Sequence, residues 1–318
     1  MSVPPGDPPH LESGVPRQGL ICVLYGSPDV PQIVIDFART APAVVIDNSG
    51  DLRGAADGLT VLRPGRNLGY SEGVNAGLAA LPPDCRAVLV VNPDIAGPVE
   101  ALHELAEKVA RSPQPMLAAP TGGNGTFGFL PRATAPLVMV QYLLRSNWHP
   151  TARDPERQFL SGALLALNAA ALKVLAPADE LLRSDLFFMD DVDLTDRARA
   201  NEVQLLEVPV TAQLVHEGGT SMRRRPAVRI YFSRVSKVRY WRSRSPVWGG
   251  VLRRFFLAEA AVGEVVARRR DGGAPDGSAA MGFGLTRQWL RTGAMALDER
   301  VLGNPSSAPC DHPFSVPG

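Results

Sequence analysis

Carboxylates crowd one short stretch of this chain. Asp190, Asp191 and Asp193 place three like charges within four residues, which is costly unless a cation, a proton or a helix N-terminus offsets it. Repulsion between neighbouring carboxylates raises the pKa of one of them, as a general base near neutral pH requires. Asp193 is expected instead to cap the following helix or to hold Arg197, one turn on. A second cluster is Asn92-Pro93-Asp94. By composition it is a good turn-former; as a site, its oxygens suit Mg²⁺ or Mn²⁺, cations that commonly take one or two carboxylates plus substrate phosphates. Asp47-Asn48 and the run Asn67-Leu68-Gly69-Tyr70-Ser71-Glu72-Gly73-Val74-Asn75-Ala76-Gly77 add further polar groups. His216 follows the last apolar run, where a histidine is either structural or a ligand.

These residues need a frame. Apolar runs of four to six residues alternate with helix-length amphipathic stretches, the pattern of an α/β sheet domain. Strands are expected at 20–24, 43–46, 59–62 and 87–91, with helices opened by Pro31 and Pro98 and another over 71–81. The second half is less regular: an apolar run at 159–167 with Ser161-Gly162 near its start, a helix at 169–175, a brief strand at 186–189 and a helix at 193–200. Asn201 stands where that helix should end in a left-handed residue, and strands follow at 203–208 and 210–215. Open α/β sheets bind ligands at strand carboxyl ends, which is where Tyr25, Asp47-Asn48 and Asn92-Asp94 fall.

The 318 residues, 45% apolar and 20% charged with a net charge of +1, describe a soluble globular chain. Three cysteines (Cys22, Cys85, Cys310) supply neither a disulfide framework nor a four-cysteine zinc site, so a reduced, cytoplasmic setting is expected. No apolar run approaches the roughly 18 to 20 residues of a membrane span, and the first residues lack a basic and apolar leader pattern. The charge is unevenly distributed: residues 222–270 carry 14 Lys+Arg against 2 Asp+Glu, a net +12 that leaves −11 elsewhere. Tyr231, Phe232, Tyr240, Trp241, Trp248, Phe255 and Phe256 interleave with that basic block. No nucleic-acid recognition motif accompanies it. Two readings stay open, an amphipathic surface that docks on an anionic membrane and helices that pack on the main domain with a solvated basic face. The expected organisation is a flexible arm (1–17), a sheet domain (18–221), a basic helical segment (222–270), and a linker and mostly flexible tail (271–318).

Taken in order, VVIDNSG, NLGYSEGVNAG, VLVVNPDI, FLSGALLAL, FFMDDVDLTDRARAN and VPVTAQLVHEGGTS resemble the motif series of the family 2 glycosyltransferases of GT-A fold, especially the rhamnosyltransferase-like branch. The resemblance covers about residues 18–222 and implies a mixed α/β sheet flanked by helices. It also implies an inverting transfer of a sugar, such as L-rhamnose from dTDP-rhamnose, to a glycan or polyprenyl-diphosphate-linked acceptor in cell-envelope polysaccharide synthesis. Residue by residue, it gives Asp191 or Asp190 the role of base. Tyr25, Asp47, Asn48, Asn67, Gly69, Asn75, Asn92 and Asp94 line the nucleotide sugar, Ser161 and Gly162 form the acceptor-side loop, and Asp94, Asn92 and His216 hold Mg²⁺ or Mn²⁺. Two departures stand out: residues 178–185 replace the family's Gly-Phe-Asp-Glu segment, and Tyr25-Gly26-Ser27 closes the first strand. The alternative is a non-catalytic nucleotide-sugar-binding relative, or a scaffold in a glycan-assembly complex.

Overall fold

Strands buried on both faces read as continuous apolar runs, and β1 (Gln18–Leu24) is such a strand, with all seven residues buried. Its Leu20, Cys22 and Leu24 enter one core layer and its Ile21 and Val23 the other. The computed structural model describes residues 17–54, 58–121, 127–144, 155–216, 226–272 and 278–293. After β1 come α1 (Gln32–Ala38), β2 (Ala43–Asp47), β3 (Leu59–Leu62), α2 (Gly69–Ala80), β4 (Ala87–Val91), β5 (Ile95–Ala96) and α3 (Val99–Ala110). Then follow β6 (Met116–Pro120), β7 (Phe129–Pro131), α4 (Ala135–Leu144), β8 (Gln158–Leu160), β9 (Leu164–Asn168), α5 (Ala169–Leu175), α6 (Asp190–Ala200), β10 (Gln204–Val208) and β11 (Val215–His216). Three helices close the described chain: α7 (Pro226–Arg244), α8 (Pro246–Asp271) and α9 (Ala279–Thr292).

The expected class is the one adopted, an α/β fold with a mixed sheet flanked by helices. Seven strands lie in the order β10-β6-β9-β4-β1-β2-β3. Only β9 among them runs against its neighbours, pairing antiparallel with β4 and β6. That reversal has a consequence for the site: Leu164, at the amino end of β9, pairs with Val91 at the carboxyl end of β4. The Ser161–Ala163 turn therefore sits beside Asn92, whose amide donates to the Ala163 carbonyl at 2.9 Å.

Helix α2 lies close on the sheet because glycines face it. A Cβ at Gly77 would stand 2.5 Å from Ile21 Cγ2 and 2.9 Å from Ile46 Cδ1, and one at Gly73 would stand 3.0 Å from Val23. Gly77→Val should therefore cost about 1–3 kcal/mol by overpacking, read as a lowered melting temperature, whereas substitution at the open position Gly250 should cost far less.

Several expectations need correction. Residues 186–189 form no strand; Leu186 and Met189 are buried instead beneath Tyr240 of α7. Of 210–215 only Val215 joins a strand, because Pro209 ends the ladder donors. The left-handed residue after α6 is Glu202 (φ 55°), one beyond Asn201. The proposed linker and tail contain α9, whose Leu285, Trp289 and Leu290 pack into one core with Tyr231, Phe232, Val235, Leu252 and Phe256. Most of the basic block's aromatics are thus committed to an internal three-helix unit. That unit grips the sheet domain: the Tyr240 hydroxyl donates to Asp196 at 2.5 Å, and the Phe187 amide donates to Ser236 Oγ at 3.1 Å. The arm over 1–16, the junction at 217–225 and the tail beyond 293 lie outside the described residues.

Candidate active site

The acidic pair opens α6. Asp190, Asp191 and Asp193 all fall in its first turn, where free backbone amides and the helix dipole favour negative charge. Asp193 takes the structural role expected of it: buried, it accepts from Arg197 at 2.9 Å and lies 3.5 Å from Arg183 and Arg244. Asp191 faces the Ser161-Gly162 loop. Its Oδ2 accepts from the Gly162 amide at 3.2 Å and its Oδ1 from the Val192 amide at 2.8 Å. A Cβ on Gly162 would come within 3.1 Å of Asp191 Cβ, so the loop approaches the carboxylate closely because this residue has no side chain. Burial pushes the Asp191 carboxyl up to about 6 against the pull of those amides. Asp190 is raised well above the ordinary carboxylate range, first by burial and then by Asp191.

Asp94 follows β4, and β5–β11 pairing places Ile95 opposite His216. The His216 Nε2 lies 3.1 Å from Asp94 Oδ1. About 3 Å is also the spacing of adjacent donors on one octahedral cation with ligands near 2.1 Å. The His216 Nδ1 is buried with no hydrogen-bond partner among the described residues, and the ring lies tilted against Phe127, centroids 6.0 Å apart. Asp94 and His216 therefore fit a divalent cation, and the Asn92 amide oxygen stands two residues away. Among the described residues no group of three or more His, Cys, Asp or Glu side chains is arranged to hold a metal ion.

Tyr70 links the two acidic groups, and sequence reasoning gave it no role. Its hydroxyl donates to the Gly162 carbonyl at 3.4 Å. Its ionisation is pushed well above the usual range by burial, then by Asp190, Cys22, Asp191 and Asp94, and the turn it touches bonds Asp191 through the Gly162 amide and Asn92 through the Ala163 carbonyl. The only signal was its place directly after Gly69, whose φ of +75° opens α2 and aims that turn. Arg63, just past β3, was also missed; its half-exposed guanidinium stands 3.5 Å from Asp47.

Other expected site residues make contacts that position backbone. Asp47 is buried, with Oδ1 accepting from the Gly50 amide at 2.8 Å and Oδ2 from the Leu52 amide at 3.2 Å, so it shapes the loop after β2. Asn48 clamps the entry to α2, donating to the Gly69 carbonyl at 2.9 Å and accepting from the Leu68 amide at 3.2 Å. Asn67 accepts from the Gly69 amide at 2.9 Å. Asn75 makes a reciprocal pair with the Leu182 backbone at 2.8 and 2.9 Å, and Ser71 donates to the Leu186 carbonyl at 2.9 Å. Helix α2 thereby anchors the 182–189 stretch that leads into the acidic pair. Tyr25 is half-buried at the end of β1, and Ser161 is buried beside Gly162.

No protein-family model matches the chain, and no curated protein matches it. Among solved structures, a mannosyltransferase from Pyrobaculum calidifontis, in complex with GDP-Man and Mn²⁺, is similar over 90% of this chain and 78% of its own, at 14% identity and TM-score 0.43. A 2-C-methyl-D-erythritol 4-phosphate cytidylyltransferase from Thermus thermophilus covers 61% and 89%, at 18% identity and TM-score 0.36. The catalytic domain of Drosophila β1,4-galactosyltransferase 7, in complex with xylobiose, covers 62% and 66%, at 11% identity and TM-score 0.30. Likeness of this degree carries no residue-level correspondence, and function rests on the chain's own groups.

Proposed function

We propose that this chain is a metal-dependent, inverting glycosyltransferase of GT-A type that moves a sugar from a nucleotide donor to an acceptor hydroxyl. The observation that carries the reading is the Ser161–Ala163 turn, which holds Asp191 of the acidic pair through the Gly162 amide on one side and accepts from the Asn92 amide, two residues before the Asp94–His216 pair, on the other. Asp191 is the base. It takes the acceptor proton as the acceptor oxygen attacks the anomeric carbon from the face opposite the leaving group, and the bond to the nucleoside diphosphate breaks. Burial and the Asp191 charge push the Asp190 carboxyl further up, so of the pair it is the one that releases its proton less readily.

Asp94 and His216, with Asn92 beside them, would hold Mg²⁺ or Mn²⁺. A cation there supplies neutralisation of the departing diphosphate's charge. The loops after β1, β2 and β3, with Tyr25 and Arg63, flank the nucleoside. The donor proposed from the motif resemblance is dTDP-L-rhamnose, and the acceptor a glycan or polyprenyl-diphosphate-linked hydroxyl in cell-envelope polysaccharide synthesis, on the cytoplasmic side.

Ligand binding to the native state alone raises its melting temperature. A panel of nucleoside diphosphates and their sugars should give at least one ligand that stabilises the protein by about 2–3 kcal/mol at roughly 100 times its Kd, with Mn²⁺ present and not with a chelator. A panel without any shift, or equal shifts in chelator, contradicts the reading.

A further inference from the structure

Helix α8 is amphipathic in the reverse sense to a helix that displays its polar face to water. Its inner face is closed: Leu252, Phe256 and Ala260 are fully buried, Gly249 lies against Arg242 of α7, and Gly263 against the Phe283 ring of α9. The outer face carries Val247 (73% exposed) and Trp248 near the helix start and Val262 (66%), Val265 (52%) and Val266 (53%) near its end, all on one side of the helix. The exposed charged residues between and beside them are Arg254, Arg269 and Arg270, whereas Arg253 donates to the Leu290 carbonyl of α9 at 2.7 Å and Arg268 is held by Glu264. The glutamates within the helix turn away from this face: Glu259 pairs with Arg234 at 2.6 Å, and buried Glu264 pairs with Arg268 and Arg287, each at 2.8 Å.

An exposed apolar stripe of this length marks an interaction surface, and its charge selects the partner. A second copy of the chain would set arginine against arginine across a two-fold axis. Nucleic acid would take the arginines and leave the valines in water. An anionic bilayer meets both sets of groups, with valines and tryptophan at the acyl boundary and guanidinium groups at the lipid phosphates. We propose that the outer face of α8 lies flat on an anionic lipid surface and docks the protein there. No helix among the described residues is long and apolar enough to cross a membrane. The proposal moves the docking surface from the aromatic residues of α7, which are internal, to the valine and arginine face of α8, and it rests on that face alone, whatever reaction the crevice performs.

Co-sedimentation of the full-length protein tests it, with phosphatidylcholine vesicles and with vesicles containing about 30% phosphatidylglycerol, at about 0.1 M and about 0.5 M salt. The expected result is at least about tenfold tighter binding to the anionic vesicles, weakened by the higher salt. Val262→Asp/Val265→Asp should lower that binding at least about tenfold with the melting temperature unchanged, since both side chains face solvent. Arg254→Glu/Arg269→Glu provides a second variant with the same expected loss. Equal binding to both vesicle types, no binding to the anionic ones, undiminished binding in both variants, or a wild-type dimer that Val262→Asp dissociates would each overturn the proposal. Sugar-nucleotide consumption in free solution should be the same in wild type and variants, which separates this proposal from the fate of the transfer reading.

Discussion

Asp191→Asn is expected to lower donor turnover by about 10²–10⁴-fold, the usual contribution of a positioned general base, while nucleotide binding with metal persists. An amide cannot take the acceptor proton, yet it retains the size of the side chain beside Gly162. The wild-type pH profile carries the complementary signature. With the carboxyl raised to about 6, kcat/KM should fall about tenfold per unit below roughly pH 6, the region where the base becomes protonated.

The same shift appears in stability. A raised carboxyl holds its proton in the native state at pH values where the unfolded chain has released it, so wild-type stability declines as pH rises from about 4 to past about 6. Asn at this position does not titrate. Whatever constant offset the substitution introduces, the gap between the melting temperatures of variant and wild type should move in the variant's favour over that window, by on the order of 1 kcal/mol or roughly 2–4 °C. A gap that moves the other way, or a variant with undiminished turnover, removes Asp191 from the role of base.

Asp94→Ala should have the second large effect: loss of Mn²⁺ binding, read by electron paramagnetic resonance of the free ion, and a fall in turnover of at least about 100-fold. The substitution removes the only carboxylate of the pair and leaves His216 as its lone side chain. It also removes one of the charges that, after burial, push the Cys22 thiol up to about 12. Unchanged Mn²⁺ affinity in the variant would place the cation elsewhere. Asp94→Asn should lie between the two, because an amide oxygen is a weaker ligand of the same geometry.

The parallel half of the sheet was legible because its strands are buried on both faces, and runs such as Ala87–Val91 have few alternatives. Likewise the side-chain pattern of α2 announced a helix, and the structure brings its glycines close to β1, most tightly at Gly77. Legibility failed where long-range partners decide. Residues 186–189 look like a strand, but their apolar side chains pack under Tyr240, more than 40 residues away. Helix α9 hid in a glycine-rich stretch and forms because Trp289 and Leu290 meet α7 and α8.

In the candidate site, residue type pointed to side chains and left their contacts undecided. Asp47, Asn48 and Asn75 hold backbone in place, as strand-end amides and carboxylates commonly do. The acidic pair and the Asp94–His216 pair were legible because concentrated charge and a strand-end histidine are costly or uncommon without a purpose. Tyr70 was not, since only the fold brings its hydroxyl to Gly162 between them.

The central claim, sugar transfer with Asp191 as base, is tested most directly by nucleoside diphosphate release from a sugar-nucleotide panel that includes dTDP-L-rhamnose, with Mg²⁺ or Mn²⁺. Wild type and Asp191→Asn are compared, and the anomeric configuration of the product is read by NMR. The account predicts turnover of at least one donor by the wild type, an inverted product, and loss in the variant. No turnover of any donor, a product with retained configuration, or equal turnover by Asp191→Asn would contradict it.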